Sequence, residues 1–235
     1  MGVDRDMVEV IVFVEGQTEE RFIKLVISPA LRHLQVFVKP LMLRTSKNAK
    51  GGAISFDRLK FNARNTLRQN PDAVLGTFFD LYALDTQFPA YEKAKLLTDV
   101  YARVKCLEDN LKLVITEYVG SRSNRFIPHI QPYEFEGLLF SDVAALSSIE
   151  PAWVNHLQKL REIRASVDSP ENINDGYATK PSERLKKLLQ PKYKKTTHGP
   201  RAANQITLEA IERECPHFKY WMDSLRALSL NSLIR

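Results

Sequence analysis

Cysteine is nearly absent, with only Cys106 and Cys215 in 235 residues. That excludes a disulfide-stapled scaffold and a thiolate zinc cluster, and makes the cytoplasm the expected compartment. No apolar run is long enough to span a bilayer, so no membrane partner is expected. The opening Met1-Gly-Val-Asp-Arg-Asp6 is polar and unlike a signal peptide, and Asp6 stands where the myristoylation pattern requires Ser or Thr. The composition also lacks the mark of disorder. At 44% hydrophobic residues the chain can bury a substantial core, as one large domain or one domain with an appendage. Its net charge of +6 and pI near 9.2 permit a polyanionic partner without requiring one.

The most informative stretch runs from Val8 to Phe22. Val8 to Val14 is β-branched and nearly all apolar, the pattern of a strand covered on both faces in a parallel sheet. Glu15-Gly16 ends it. Gly16 permits a tight turn with positive φ, and Thr18 can cap a helix whose first turn carries Glu19 and Glu20, where acids suit the helix dipole. A carboxylate, Glu15, thus stands at the carboxyl end of a central strand, the edge where open α/β sheets bind ligands.

Downstream, Phe22, Leu25 and Val26 mark one face of the first helix, and Val36 to Leu43 reads as a second strand interrupted by Pro40. Arg44 to Gly52 is a polar, basic loop in which Lys47 and Lys50 are candidate phosphate contacts, against the plainer reading of a solvated connection. Phe56, Leu59, Ala63 and Leu67 recur at helical spacing. Ala73 to Phe79 is a further buried strand ending in Asp80, and right-handed crossovers place Asp80 on the same sheet edge as Glu15. A third helix is expected through Tyr91, Ala94, Leu97, Val100, Val104 and Leu107, followed by a strand at Leu111 to Val119.

Two more acids follow in Pro132-Tyr133-Glu134-Phe135-Glu136-Gly137. At a strand-to-helix junction only one of Glu134 and Glu136 is expected to point inward. Otherwise they are acids at a helix start, with Phe135, Leu138 and Leu139 as core. His129 is expected to be packed or hydrogen-bonded rather than a ligand. Beyond Ser141 the pattern turns helical, with Trp153, Leu157, Leu160 and Ile163 on one face. A basic helix opens at Lys180, and a loop from Pro191 to Arg201 interleaves Tyr193 with Lys192, Lys194 and Lys195. Such a segment supplies phosphate neutralisation and a stacking surface, or only a solvated lysine-rich face. Helices at Ala203 to Glu214 and Phe218 to Leu228 close the chain.

The strand ending in Glu15-Gly16, with a second acid at Asp80, resembles the Toprim fold of topoisomerases, primases and overcoming-lysogenization-defect nucleases. With Glu134-Phe135-Glu136-Gly137, Asn174-Asp175-Gly176, Pro181-Ser182-Glu183-Arg184, Tyr193-Lys194-Lys195 and Cys215-Pro216-His217-Phe218 in order, nearly the whole chain resembles a bacterial Toprim-like family, domain-of-unknown-function family 4276. The resemblance implies a Toprim-like (Rossmann-like) α/β core, a mostly parallel sheet flanked by helices, over residues 1–140. A basic helical extension over residues 141–235 would pack on it. It implies a metal-dependent endonuclease in which Glu15, Asp80, Glu134 and Glu136 are catalytic and Glu15, Asp80 and Glu134 hold Mg²⁺ or Mn²⁺, with Glu15 a ligand or the general base for a water. Crowded carboxylates imply raised pKa values without metal. Lys47, Lys50, Arg184, Lys194 and Lys195 are candidates for contacting the phosphates of DNA or RNA.

Such families are similar to nuclease subunits of phage-defence systems, which implies an ABC- or AAA-type ATPase partner and a possible homodimer. One departure from the Toprim pattern stands out. Tyr82 occupies the place of the second Asp of the Asp-x-Asp pair, leaving open whether Asp85 or a residue from elsewhere completes the site. That departure favours a second hypothesis, a non-catalytic binding subunit of an ATPase complex. A phosphohydrolase acting on nucleotides is a third, against which the basic segment from Lys180 to Arg201 weighs.

Overall fold

The computed structural model describes residues 7–43, 54–120, 123–174, 176 and 178–231. A parallel sheet of five strands forms the middle layer: β1 (Val8–Val14), β2 (Val36–Met42), β3 (Val74–Asp80), β4 (Phe126–Ile127) and β5 (Ile130–Gln131). The order is β2-β1-β3-β4, with β5 also pairing β3. Every one of these pairings is parallel, so the strands all end on one edge. Pro40 does not interrupt β2, because β2 lies at the sheet margin where a missing N–H is tolerated.

The helices are α1 (Gln17–Phe22), α2 (Ser28–Leu31), α3 (Phe56–Gln69), α4 (Tyr91–Lys95), α5 (Val100–Val119), α6 (Val143–Ser147), α7 (Leu157–Ala165), α8 (Pro181–Leu188), α9 (Lys195–Ile206), α10 (Leu208–Glu214) and α11 (Pro216–Asn231). Alternation along β1 assigns each face its own core. Val10, Val12 and Val14 pack with Phe22, Ile27, Phe135, Trp153, Leu185, Ile206 and Phe218, whereas Ile11 and Phe13 pack with Leu59 and Ala63 of α3 and Val104, Leu107 and Leu111 of α5. The C-terminal helices are therefore layered on one face of the sheet and α3 and α5 on the other. Among the described residues no helix is long and apolar enough to cross a membrane.

Several expected elements are corrected. Leu111 to Val119 is not a strand but the second half of α5. Val104, Leu107, Leu111 and Ile115 hold one buried line at helical spacing, while Leu113 and Tyr118 face solvent. Asp99, whose side chain accepts from the Tyr101 N–H at 2.8 Å, separates α5 from the short α4. The fourth strand position is filled instead by β4 and β5, broken at Pro128-His129. There the Thr77 hydroxyl accepts from the His129 N–H at 2.9 Å and donates to its carbonyl at 3.0 Å, completing the ladder with a side chain. Leu25 is exposed rather than inward, because a π-helical turn at Ile23–Ile27 rotates the register and buries Ile23 and Ile27 in its place.

The stretch after Tyr193 is likewise not a loop. α9 begins at Lys195 and contains Pro200, which has no N–H to offer the Thr196 carbonyl one turn back. Arg21 of α1 supplies the missing donor, its Nη1 lying 2.7 Å from that oxygen. Thr207, with φ of 79°, then divides α9 from α10, so the helix expected over Ala203 to Glu214 is two. α9 lies tightly against α1. A Cβ on Gly199 would stand 2.9 Å from the Tyr193 hydroxyl, 3.1 Å from Phe135 and 3.3 Å from Thr18. Gly199→Ala should therefore overpack this contact and lower stability by about 1–3 kcal/mol in urea unfolding.

Candidate functional site

The parallel topology brings the predicted acids to one place. Glu15 follows β1, Asp80 is the last residue of β3, and Glu134 and Glu136 come just after β5. Tyr133, with φ of 58°, turns the chain out of the sheet. Glu134 is extended, and Phe135–Asp142 coils as a 3₁₀ segment. Within this irregular turn both glutamates are buried, Glu134 at 2% and Glu136 at 0% exposure, which corrects the expectation that only one points inward. Phe135, between them, is fully buried in the hydrophobic core, its ring 5.1 Å from that of Phe22. Carboxylate oxygens of Asp80, Glu134 and Glu136 lie within 4.8 Å of one another, so these three buried acids could bind a metal ion.

The arrangement is held by specific partners. Asp80 Oδ1 accepts from the Phe135 N–H at 2.7 Å, tying the end of β3 to the glutamate turn. Glu134 accepts from the Ser182 N–H at the start of α8 at 3.0 Å and pairs with Lys180 Nζ at 2.7 Å. The Tyr193 hydroxyl donates to Glu136 Oε1 at 3.3 Å. Lys195, the first residue of α9, reaches into the cluster, with Nζ 2.9 Å from Glu136 and 3.7 Å from Glu134. His198 steadies that helix start, because its Nδ1 accepts the Lys194 N–H at 2.9 Å.

Burial sets the electrostatics. It pushes Glu15 up to about 7, with help from the charge of Glu19, and it raises Asp80, Glu19 and Glu136 as well. Burial acts on Glu134 in the same sense, but Lys195, Lys180 and Ser182 outweigh it and hold this carboxyl below its ordinary value. Burial opposes the charge on Lys195, yet Glu136, Asp80 and Glu134 together raise its pKa, so it remains an ammonium. Burial and the neighbouring Glu136 likewise keep Tyr193 protonated as a donor. Like charges add to burial for Glu15, Asp80 and Glu136, and Glu134 departs because two lysines face it.

Other predicted residues fall elsewhere. Asp85 does not supply the missing acid. Its two oxygens accept the backbone N–H groups of Phe56 and Gln87, at 3.3 and 3.0 Å, so it pins the start of α3. Tyr82, in the place of that acid, is 43% exposed, with its ring 5.7 Å from that of Tyr133. Of the five predicted phosphate contacts, Lys195 is drawn into the cluster and Lys194 is exposed beside it. Arg184 is partly buried, with Nε bonded to the Thr179 carbonyl, and Lys47 and Lys50 lie outside the described residues. Sequence reasoning missed two members of the site. Glu19 is 6% exposed and accepts the Gly16 N–H at 3.0 Å; α1 is capped at Gly16 rather than at Thr18, which is buried within the helix, so Glu19 stands at the third helical position and closes the cap. Lys180 carried none beyond its basic segment.

Fold and site together define a parallel α/β protein with a buried carboxylate–lysine centre at its strand ends. The chain belongs to the family described as Domain of unknown function (DUF4276), which matches residues 14–226 and so spans every residue of the centre. No curated protein and no solved structure matches the chain.

Because the folded-state pKa of Glu15 is raised to about 7, the native protein binds an extra proton between about pH 4.5 and 7 and loses that stabilisation as pH rises through this window. Without divalent metal, Glu15→Gln should stabilise the protein by ~1–3 kcal/mol at pH 8 and have little effect near pH 4.5. Chemical denaturation at the two pH values measures the difference.

Proposed function

We propose that this protein is a divalent-metal-dependent nuclease of Toprim type, which hydrolyses phosphodiester bonds of DNA or RNA at the Asp80–Glu134–Glu136 centre. The observation that carries the reading is the convergence of these three carboxylates within 4.8 Å at the carboxyl edge of a parallel sheet. Their hard oxygens suit Mg²⁺ or Mn²⁺. Bound there, such an ion would polarise the phosphate and stabilise charge on the attacking and leaving oxygens. Glu15, at the end of β1 and close enough to feel the charges of Glu134 and Glu136, is placed to take a proton from an attacking water. Lys180, its Nζ 5.7 Å from the centre of the Tyr82 ring, joins a cation and an exposed aromatic beside Glu134, a pairing suited to a phosphate and a base. Exposed Lys194 extends that positive rim. The family resemblance supports a cytoplasmic anti-phage effector that works with an ABC- or AAA-type ATPase, as a monomer or homodimer.

One observation favours the second reading, a non-catalytic binding subunit. Lys195 and Lys180 already neutralise Glu136 and Glu134 from within the chain. Lys195→Met separates the two readings. It should cost ~2–4 kcal/mol in metal-free buffer at pH 8, less than for a wholly buried pair because 34% of the lysine side chain is exposed. If the site takes metal, millimolar Mn²⁺ should recover most of that loss; a purely structural ion pair should leave it unrecovered. Cleavage of a panel of DNA and RNA substrates with Mg²⁺ or Mn²⁺, with and without a neighbouring ATPase, tests the activity itself. Glu15→Gln and Asp80→Asn should each abolish cleavage by a folded protein. Absence of cutting under every condition, with no Mg²⁺-dependent change in melting temperature, would leave the binding-subunit reading in place.

A further inference from the structure

A second group of metal-ligating side chains lies apart from the acidic centre and shares no residue with it. Glu108 comes from α5, His129 from the break between β4 and β5, and His217 from the first turn of α11; one ligand atom of each lies within 4.8 Å of the others. They meet at a cavity of about 560 Å³ lined also by Tyr101, Lys105 and Trp221.

The details of His129 point to a ligand. Its side chain is fully buried, and its Nε2 lies 3.1 Å from Gln131 Oε1; donation to that oxygen leaves Nδ1 with a lone pair. That Nδ1 has no hydrogen-bond partner. It faces Glu108 Oε1 at 3.9 Å, beyond hydrogen-bond distance. An unpartnered nitrogen on a fully buried ring is costly unless a donor or a cation meets it. The other two groups are held in position. Glu108 Oε1 accepts the Ile130 N–H at 2.7 Å and lies 2.9 Å from His217 Nε2. Glu171 accepts the N–H groups of His217 and Phe218, both at 3.0 Å, which anchors the start of α11. A histidine whose far nitrogen donates to an oxygen is the usual support of a metal-bound imidazole, and Gln131 is placed to fill that role for His129.

We propose that Glu108, His129 Nδ1 and His217 Nε2 form a binding site for a zinc-class divalent cation. Two imidazoles and one carboxylate suit Zn²⁺ and its close analogue Co²⁺ rather than Mg²⁺, and the adjoining cavity supplies a fourth position for water. Bound there, the ion ties α5 and α11 to the broken strand.

The test uses the full chain after chelator treatment. Titration with Co²⁺ should give the intense visible absorption of a low-coordinate nitrogen-containing site, saturating at one equivalent and displaced by Zn²⁺. His217→Gln and Glu108→Gln should each weaken Co²⁺ binding by about 100-fold or more, at or beyond the upper end of the loss that follows removal of an outer-shell partner, whereas Glu136→Gln in the acidic centre should leave it unchanged. In the wild-type protein, which avoids any question of misfolding, one equivalent of Zn²⁺ should shift the imidazole signals of His129 and His217 and not those of His33, His156 and His198. Absence of saturable binding, survival of the absorption in both His217→Gln and Glu108→Gln, its loss in Glu136→Gln, or unmoved His129 and His217 signals would each overturn the assignment.

Discussion

The constraint on which the rest of this structure depends is the burial of like charges at the ends of parallel strands. Five carboxylates, from Glu15, Glu19, Asp80, Glu134 and Glu136, interact at one edge, and Lys195 and Lys180 provide the opposing charge. Charges withdrawn from water repel strongly in a weakly polarisable interior, so the cluster stays ionised only with cations placed among them. Lys195 is the better placed of the two, and much of the C-terminal half serves to deliver it. Gly199 lets α9 approach α1 closely, Arg21 replaces the hydrogen bond that Pro200 cannot make, and His198 holds the residue before Lys195.

Irregular backbone does the positioning that regular elements cannot. A continuous fourth strand and an ordinary helix after it would place Glu134 and Glu136 on differing sides. Instead the left-handed Tyr133 and the 3₁₀ coil after it turn both inward, and Asp80 locks that turn through the Phe135 N–H. The interruption at Pro128-His129 has a parallel effect on the other group. It leaves the His129 backbone satisfied by Thr77 while its ring stacks against Phe78, Trp221 and His217. Both of these departures from regular structure coincide with a concentration of titratable side chains, as expected where backbone geometry is set by what the site requires.

The sequence by itself determined the elements whose signal is local. β1 and β3 were legible as apolar runs ending in an acid, α3 as a 3.6-residue repeat, and the shared edge of Glu15 and Asp80 followed from the handedness of crossovers. It was ambiguous over Leu111 to Val119, where a run of apolar residues fits a strand as readily as one face of α5, and over the π-helical turn that moved Leu25 outward. Only the tertiary structure decided that both Glu134 and Glu136 turn inward, that Asp85 caps α3, that Glu19 and Lys180 join the centre, and that Lys195 enters the cluster from more than a hundred residues beyond Asp80. Periodicity reports which face of an element is buried. Which charges meet depends on how distant segments pack, and that is decided by long-range burial and ion pairing, which leave no pattern in the local order of residues.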